Sequence, residues 1–554
     1  MKLKATALLL AMLMVVTALF GCSSGGEESS QQSSSSSAGS SSTSEGESSE
    51  SEGLTLPLAE TEEIHVGVMK RVLHTTSFDE MPFTQMWEEG TNIHVVWNEI
   101  PETSWADQIN MYFASDDLDD AYVSCYGISD SLALKYAQAG QIIPLNDLLA
   151  NYAPNISARL EKFPNVKSLS TAPDGNIYAL SRYEYEGSDI NCFLYINQEW
   201  LDALDLEVPT TTDELYDVLV AFKTKDPNGN GIADEIPLSS IGDFSKQDYS
   251  FFNLFGMFGL PTDMNGLVIK DGTVTFAPTA DGWKDGIKFF NKLFEEGLLD
   301  NETFIQGEQQ LTAKGSAEDA QLGMLLGWNA FNYVGSNRKE TYISIPYPSA
   351  DGYEAAMYSS GAGCGLNKNA VFITNAAEKP EVVMAWLDWP SSSDELSVQA
   401  AYGPIGYNLI EDDTGMLVYE TATPEGMTFG EYRHKWSIAT CSPTIHDVVE
   451  YKDTGFFYGN PNNVEKAEEC DKFRDQAVVE SMPPAYMEIE DSETIANIQS
   501  DIMNQVLQMS ARWISGESDV DADWDSYIST LNGIGLEEYV SLYQKAYDNY
   551  LANG

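Results

Sequence analysis

Ile64, Val66 and Val68 alternate with polar or small residues, the two-residue period of a half-buried strand. Phe83, Met86 and Trp87 follow at helical spacing, and Ile93 to Trp97 is a second β-rich run. Trp105, Ile109, Tyr112 and Phe113 share another helical face, Ala121 to Val123 reads as a short strand, and Leu132 to Ala139 as a helix. This βαβαβ order predicts an α/β protein with a mostly parallel sheet covered by helices. The far end has a different period. Ile495, Ile498, Ile502, Val506, Met509 and Trp513 make one helical stripe, and Leu536, Tyr539, Tyr543, Tyr547 and Tyr550 make another, so the C-terminal part is helix-rich. A tyrosine stripe at that spacing reads as core. There are no internal repeats, no heptads and no later membrane span.

Composition narrows the partners. The 554 residues hold 86 Asp and Glu against 29 Lys and Arg, a formal net charge of −57, with 43% hydrophobic residues and 11% aromatic ones. Such a chain packs a core, while its negative field repels phosphate backbones and anionic headgroups, which excludes nucleic acid and basic-patch membrane binding.

The N-terminus speaks to compartment. Lys2 and Lys4 precede an apolar run from Ala5 to Phe20, too short for a comfortable span but suited to a secretory signal over residues 1–21. The tetrad Leu19, Phe20, Gly21 and Cys22 resembles a bacterial lipobox, with Phe20 bulkier than that pattern usually has, and Cys22 is the expected lipidation site. Ser23 to Gly53 contains 16 Ser and six Glu among 31 residues, so 22–53 reads as a lipidated Cys and a flexible spacer. Setting aside the signal's +2 and the tail's −6 leaves −53 on residues 54–554. Cys125, Cys192, Cys364, Cys441 and Cys470 contain no C-x-x-C pair, which argues against a zinc site; at most two disulfides can form, and their pairing is open.

The segment from Leu194 to Leu238, LYINQEWLDALDLEVPTTTDELYDVLVAFKTKDPNGNGIADEIPL, resembles the extracellular solute-binding proteins of carbohydrate ABC importers. It is similar to large lipoproteins of the LplA type and to alginate-oligosaccharide receptors. DGNIYAL from Asp174, NKLFEEGLLD from Asn291, WISGESDVDADWDSYISTLNGIGLEEY from Trp513 and YQKAYDNY from Tyr543 resemble the same group. The resemblance implies a two-lobed periplasmic-binding-protein-like fold (type II) that closes about a hinge on its ligand. It places the crossings near Tyr178 to Arg182, Ser359 to Gly365 and Tyr402 to Tyr407. Lobe 1 is then 54–180 plus about 360–405, and lobe 2 about 181–359 plus 406–554. The implied partners are an oligosaccharide, the permease subunits of an ABC transporter and, through the lipid anchor, the membrane, with the receptor itself a monomer.

Sugars need flat apolar faces for their C–H surfaces and planar polar groups for their hydroxyls. Trp328, after the apolar run Leu322 to Leu326, is the first candidate, with a core role as the alternative. Arg182 and Tyr183 follow the first expected crossing, Tyr126 follows a strand, and Tyr402 and Tyr407 flank the third crossing; each aromatic fits ordinary packing as well. The body charge favours neutral oligosaccharides over polyanions.

One loop has metal-ligand spacing. Asp226, Asn228 and Asn230 stand at positions 1, 3 and 5 of an EF-hand-like loop, Gly231 at the turn and Ile232 at the carbonyl position, with Asp234 and Glu235 completing the set. Position 12 is Pro237 where an EF-hand has a bidentate Glu, so a structural calcium ion is expected, like the one the alginate receptors carry. A plain polar turn is the alternative. Gly361, Gly363 and Gly365 match neither a dinucleotide nor a phosphate loop. No G-x-S-x-G elbow occurs, and nothing selects a catalytic carboxylate pair. The chain therefore reads as a non-enzyme, with a secreted glycoside hydrolase or polysaccharide lyase, or a cell-surface adhesin, as the other classes.

Overall fold

A computed structural model describes residues 54–553 apart from 248, 420–428 and 479; the leader, Cys22 and the Ser/Glu tail lie outside them. In chain order the strands are β1 (Glu62–Lys70), β2 (Ile93–Pro101), β3 (Ala121–Val123), β4 (Leu180–Tyr185), β5 (Phe193–Asn197) and β6 (Ile236–Ser239). A ribbon of β7 (Leu267–Lys270) and β8 (Thr273–Phe276) precedes β9 (Leu322–Gly327), β10 (Tyr342–Ile345) and β11 (Leu366–Ile373). A second ribbon, β12 (Leu409–Glu411) with β13 (Leu417–Tyr419), precedes β14 (Ile445–Asp447).

Two sheets organise these strands. The first runs β14-β4-β11-β3-β1-β2 and the second β10-β5-β9-β6. In the first, β1 is parallel to β2 and β3, and β14 is parallel to β4, whereas β11 is antiparallel to both β3 and β4. The expected parallel βαβαβ unit is thus present, and a late strand from the far side of the chain is inserted beside it in the opposite sense. The alternation at Ile64, Val66 and Val68 buries all three, and helices Pro82–Thr91 and Trp105–Ser115 cover the sheet, each ending on a left-handed residue, Asn92 and Asp116. Each sheet has its own apolar core, the two-lobed α/β arrangement that the resemblance implies. Trp87 and Trp386 stack at 4.1 Å in the first, Phe255 and Trp283 at 3.7 Å in the second.

The C-terminal stripes both face the second core. Ile502, Val506 and Trp513 of helix Ile489–Ile514 and Tyr539, Tyr543 and Tyr547 of helix Leu536–Asn553 are buried there, which makes the tyrosine stripe a packing feature.

The passages between the cores differ from expectation at two places. The first runs from β4 to β5, over 186–192, whereas the expected Tyr178 to Arg182 enter and form β4 of the first sheet; the second runs from β10 to β11, where Ser359 to Gly365 were expected. Tyr402 to Tyr407 make no passage: Tyr402 ends helix Asp394–Tyr402 and packs with Leu409, Tyr419 and Phe457. The third passage comes later, between β14 and Cys470 and Phe473 of the second core. Residues 406–447, grouped with lobe 2 from the sequence, therefore add β14 to the first sheet. Their late position in the chain gave no sign that they return to it.

The passages meet at Asp189. Ser359 Oγ donates to its carboxylate at 2.5 Å, Ser360 N donates to its carbonyl at 2.9 Å, and Arg474 forms an ion pair with it while donating to Gly187 O at 2.8 Å. Asp189 thus joins the first two connecting segments to Arg474, just past the end of the third.

Candidate functional site

Strand β4 builds the site by alternation. Tyr183 and Tyr185 point to one side, where Tyr183 packs against Phe163 in the first core. Arg182 and Glu184 point to the other. There the two form an ion pair, and Glu184 Oε1 lies 3.7 Å from Arg433 Nη2. Tyr402 donates its hydroxyl to Glu184 and, at 3.1 Å, to Glu186 Oε1, while the Arg433 guanidinium lies 4.1 Å from the centre of its ring. Arg182, Glu184, Glu186 and Arg433 open onto a cavity of about 320 Å³ that Asn367, Leu366 and Thr440 complete, with Tyr402 fully buried behind them. Gly365 lets β11 come this close to β4, because a Cβ there, at φ +73°, would lie 2.2 Å from Glu184 O.

Burial and charge set the ionisation. Arg182 is 7% exposed, and loss of solvation pulls its pKa down to about 10, helped by the neighbouring Arg433; it stays cationic at neutral pH. His446, on β14 beside Glu184, is fully enclosed and held well below its ordinary value by burial and by Arg182, Arg159 and Arg433, so it is neutral. Two arginines against Glu184 and Glu186 leave the basket near electroneutrality. It can offer planar donors and acceptors to a polar, uncharged ligand without a net charge for a counter-ion.

An aromatic patch stands nearby in the chain. Tyr407, 44% exposed, lies 5.0 Å from the ring of Trp436, which also meets Tyr432 in a near-perpendicular contact at 6.1 Å. Tyr126 is 56% exposed, donates to Glu102 Oε1 at 3.0 Å and lies under Arg71 at 5.3 Å.

Trp328 has a separate setting. It is half-buried just past the end of β9, its carbonyl accepting from Tyr195 Oη at 3.1 Å and from Lys466, whose ammonium sits 5.2 Å from the Trp328 ring. Its described contacts are with second-core elements and do not join it to the Arg182 cavity. The structure therefore brings Arg182 and the Tyr402 hydroxyl together, leaves Tyr126 and Tyr407 exposed, and buries the Tyr183 ring in a core.

Glu184, Glu186, Arg433, Trp436, Arg71 and Glu102 escaped the sequence reading. One signal was legible: in so acidic a chain, the basic and aromatic run Tyr432-Arg433-His434-Lys435-Trp436 stands out.

The calcium loop is curled as its glycines require, with Gly229 and Gly231 at φ +71° and +75° and Asp226 at +49°. Asn228 and Asn230 amides point at Asp234 Oδ1 at 3.4 and 3.2 Å, and Asp226 Oδ2 accepts from Gly231 N at 3.1 Å. Glu235 Oε1 is buried without a hydrogen-bond partner, and burial together with Asp234 and Asp226 raises its pKa. Among the described residues no three His, Cys, Asp or Glu side chains converge as a metal cluster. The available donors are instead mixed oxygens: carboxylates, Asn carbonyls after amide rotation, and the Ile232 backbone. That set suits a hard cation such as calcium, and the orphaned Glu235 oxygen fits one.

The described residues also contain a Cys125–Cys441 disulfide, while Cys192, Cys364 and Cys470 are buried thiols. No described helix is long and apolar enough to cross a membrane.

Comparison with known proteins agrees with this architecture. The fructooligosaccharide ABC transporter substrate-binding protein FusA of Streptococcus pneumoniae is 31% identical over 533 residues, 93% of this chain and 95% of that one. FusA in complex with kestose superimposes with a TM-score of 0.72 at 30% identity over 89% of this chain and 100% of that chain. An EF-hand mutant of FusA in complex with fructo-nystose superimposes with the same TM-score, identity and coverage. A human-milk-oligosaccharide (HMO) binding, ABC-transporter-associated solute-binding protein of Bifidobacterium longum infantis gives a TM-score of 0.78 at 27% identity over 88% of this chain and 99% of that chain. Alginate-binding protein AlgQ2 shares the fold alone, with a TM-score of 0.59 at 20% identity, over 90% of this chain and 100% of that chain. Residues 74–395 match the model of the bacterial extracellular solute-binding proteins, and the chain belongs to that family.

Proposed function

We propose that this protein is the substrate-binding receptor of a carbohydrate ABC importer, capturing a neutral oligosaccharide between its lobes and handing it unaltered to the permease. The observation that carries this is the near-neutral basket of Arg182, Glu184, Glu186, Arg433 and Tyr402 at the mouth of β4, with exposed aromatics close by in the chain. The full-length likeness to FusA, whose name is that of a fructooligosaccharide-binding protein, supports the reading. Arg182 then binds sugar hydroxyls, with Tyr402 holding Glu184 and Glu186 from behind the cavity, while Tyr126, Tyr407 and Trp328 offer apolar faces; Tyr183 supports β4 from the core. Lobe 1 comprises 54–185 with 366–447, and lobe 2 comprises 193–345 with the C-terminal helices, closing about the Asp189 junction. The receptor is a monomer without catalytic activity, tethered on the outer face of the cell membrane by lipid on Cys22, with calcium in the loop Asp226 to Glu235.

Calorimetric titration with kestose and nystose, followed by chromatography of the recovered sugar, tests the proposal. Saturable binding with unchanged sugar is expected, and Trp328→Ala should lose about thirty-fold or more in affinity, since truncating a stacking aromatic costs about 2–4 kcal/mol. Cleaved product, or no binding to any oligosaccharide in a broad panel, would overturn it.

A further inference from the structure

Arg71, one residue past β1, has a guanidinium held from three sides. Its Nη1 donates to Thr440 Oγ1 at 3.2 Å, its Nε lies 3.6 Å from Glu102 Oε1, and the Tyr126 ring lies beneath it at 5.3 Å. Tyr126 in turn donates to Glu102 Oε1, so the carboxylate fixes both the cation and the ring. Of the three guanidinium nitrogens of Arg71, Nη1 alone has a hydrogen-bond partner among the described residues.

Behind Thr440 the hydrogen bonds have a set direction. His434 Nδ1 lies 2.7 Å from Gly430 O, and because a carbonyl only accepts, Nδ1 carries the proton. Nε2, 3.1 Å from Thr440 Oγ1, is then the acceptor, so the threonine hydroxyl gives its proton to His434 and turns its lone pairs to Arg71. His434 is 3% exposed, and burial keeps it neutral, which preserves this direction.

The two arms that touch Arg71 are joined covalently. Tyr126 follows Cys125 and Thr440 precedes Cys441, and the Cys125–Cys441 disulfide ties these segments across 316 residues of sequence. Thr440 also lines the cavity of Arg182, Glu184 and Arg433, so the Arg71 clamp continues the same wall.

The geometry points to Arg71 as a ligand-binding residue of this cleft, aimed by Thr440, His434 and the Cys125–Cys441 disulfide as positioning groups, and presenting Nη2 to hydroxyls of an uncharged sugar. This rests on the reading of the cleft as a saccharide site. Glu102 matches the charge, so the clamp offers a donor fork rather than a net cation; a second Arg–Glu pair thus repeats the logic of Arg182 and Glu184.

The test is titration of the intact protein with kestose in wild type, Arg71→Met, Thr440→Val, Thr440→Ser and the double variant Cys125→Ser/Cys441→Ser, with melting temperature measured on each. Arg71→Met, Thr440→Val and the double variant should weaken kestose tenfold or more, while Thr440→Ser, which keeps the hydroxyl, should stay within about threefold of wild type. The two Thr440 variants should melt together, separating positioning from stability even where the disulfide variant folds poorly. Wild-type affinity in Arg71→Met or Thr440→Val, or equal losses in Thr440→Val and Thr440→Ser, would overturn the assignment while leaving the proposed function standing. Failure of wild type itself to bind kestose or any other panel sugar would overturn both.

Discussion

Glu184 is the sole carboxylate in contact with both Arg182 and Arg433 among the described ion pairs, and it is 5% exposed, so Glu184→Gln isolates the electrostatics of the basket. The substitution keeps shape and removes one charge, leaving two guanidiniums enclosed beside each other. At 3.7 Å, the attraction between Glu184 and Arg433 is about 4.5 kcal/mol at an effective dielectric near 20, before the desolvation it offsets. Glu186, reached through the Tyr402 hydroxyl, compensates in part. Removing one partner of a buried pair typically costs about 3–5 kcal/mol, a large share of the stability of any domain. We expect Glu184→Gln to lose about 3 kcal/mol in urea unfolding of the first lobe, followed by tryptophan fluorescence. Arg182→Gln/Glu184→Gln should then recover part of the loss, because the second change removes the uncompensated cation. A single variant within 1 kcal/mol of wild type, or a double variant whose loss is the sum of the two singles, would refute the account of Glu184 as the shared counter-charge.

Three further outcomes follow from the same structure. Burial lowers the pKa of His74 from 6.5 to about 4. Its stabilising contribution is therefore present above pH 6.5 and lost as pH falls through 4, worth up to about 3 kcal/mol. Asp263 acts oppositely, because burial raises it to about 6, so its contribution is present below 3.8 and lost as pH rises through 6. The two nearly offset each other in wild type, so the readout is the comparison: between pH 7.5 and 4 the urea midpoint of His74→Gln should rise relative to that of wild type, and an unchanged difference between the two would remove His74 from the account. Chelation should lower the melting temperature by several degrees and Asp234→Ala should mimic it, with metal analysis finding about one calcium per chain; equal melting with and without chelator would dismiss the site. Cys22→Ala should release the protein into the medium with its sugar affinity intact, and retention on the membrane would show another anchor.

How much was legible can be judged residue by residue. Short-range periodicity, which depends only on the geometry of a strand or helix, identified β1 to β3, their covering helices and the buried tyrosine stripe of the last helix. Local spacing also marked the Asp226 loop, since its donors lie within ten residues of one another. The expected first crossing named Arg182 but could not say that Tyr183 faces a core, because which side of a strand is buried depends on β11 and β14, 181 or more residues away. Nor could it show that residues 406–447 return to the first sheet to bring Arg433, Thr440 and Cys441 against Arg71, Arg182 and Cys125. Those meetings are set by chain topology, to which no local pattern of residue types responds. By itself the sequence determined the α/β elements, the acidity and the candidate calcium loop; only the tertiary structure decided which charges neutralise one another, which tyrosines are buried and which arms clamp Arg71, because burial and pairing belong to segments joined by packing across hundreds of residues.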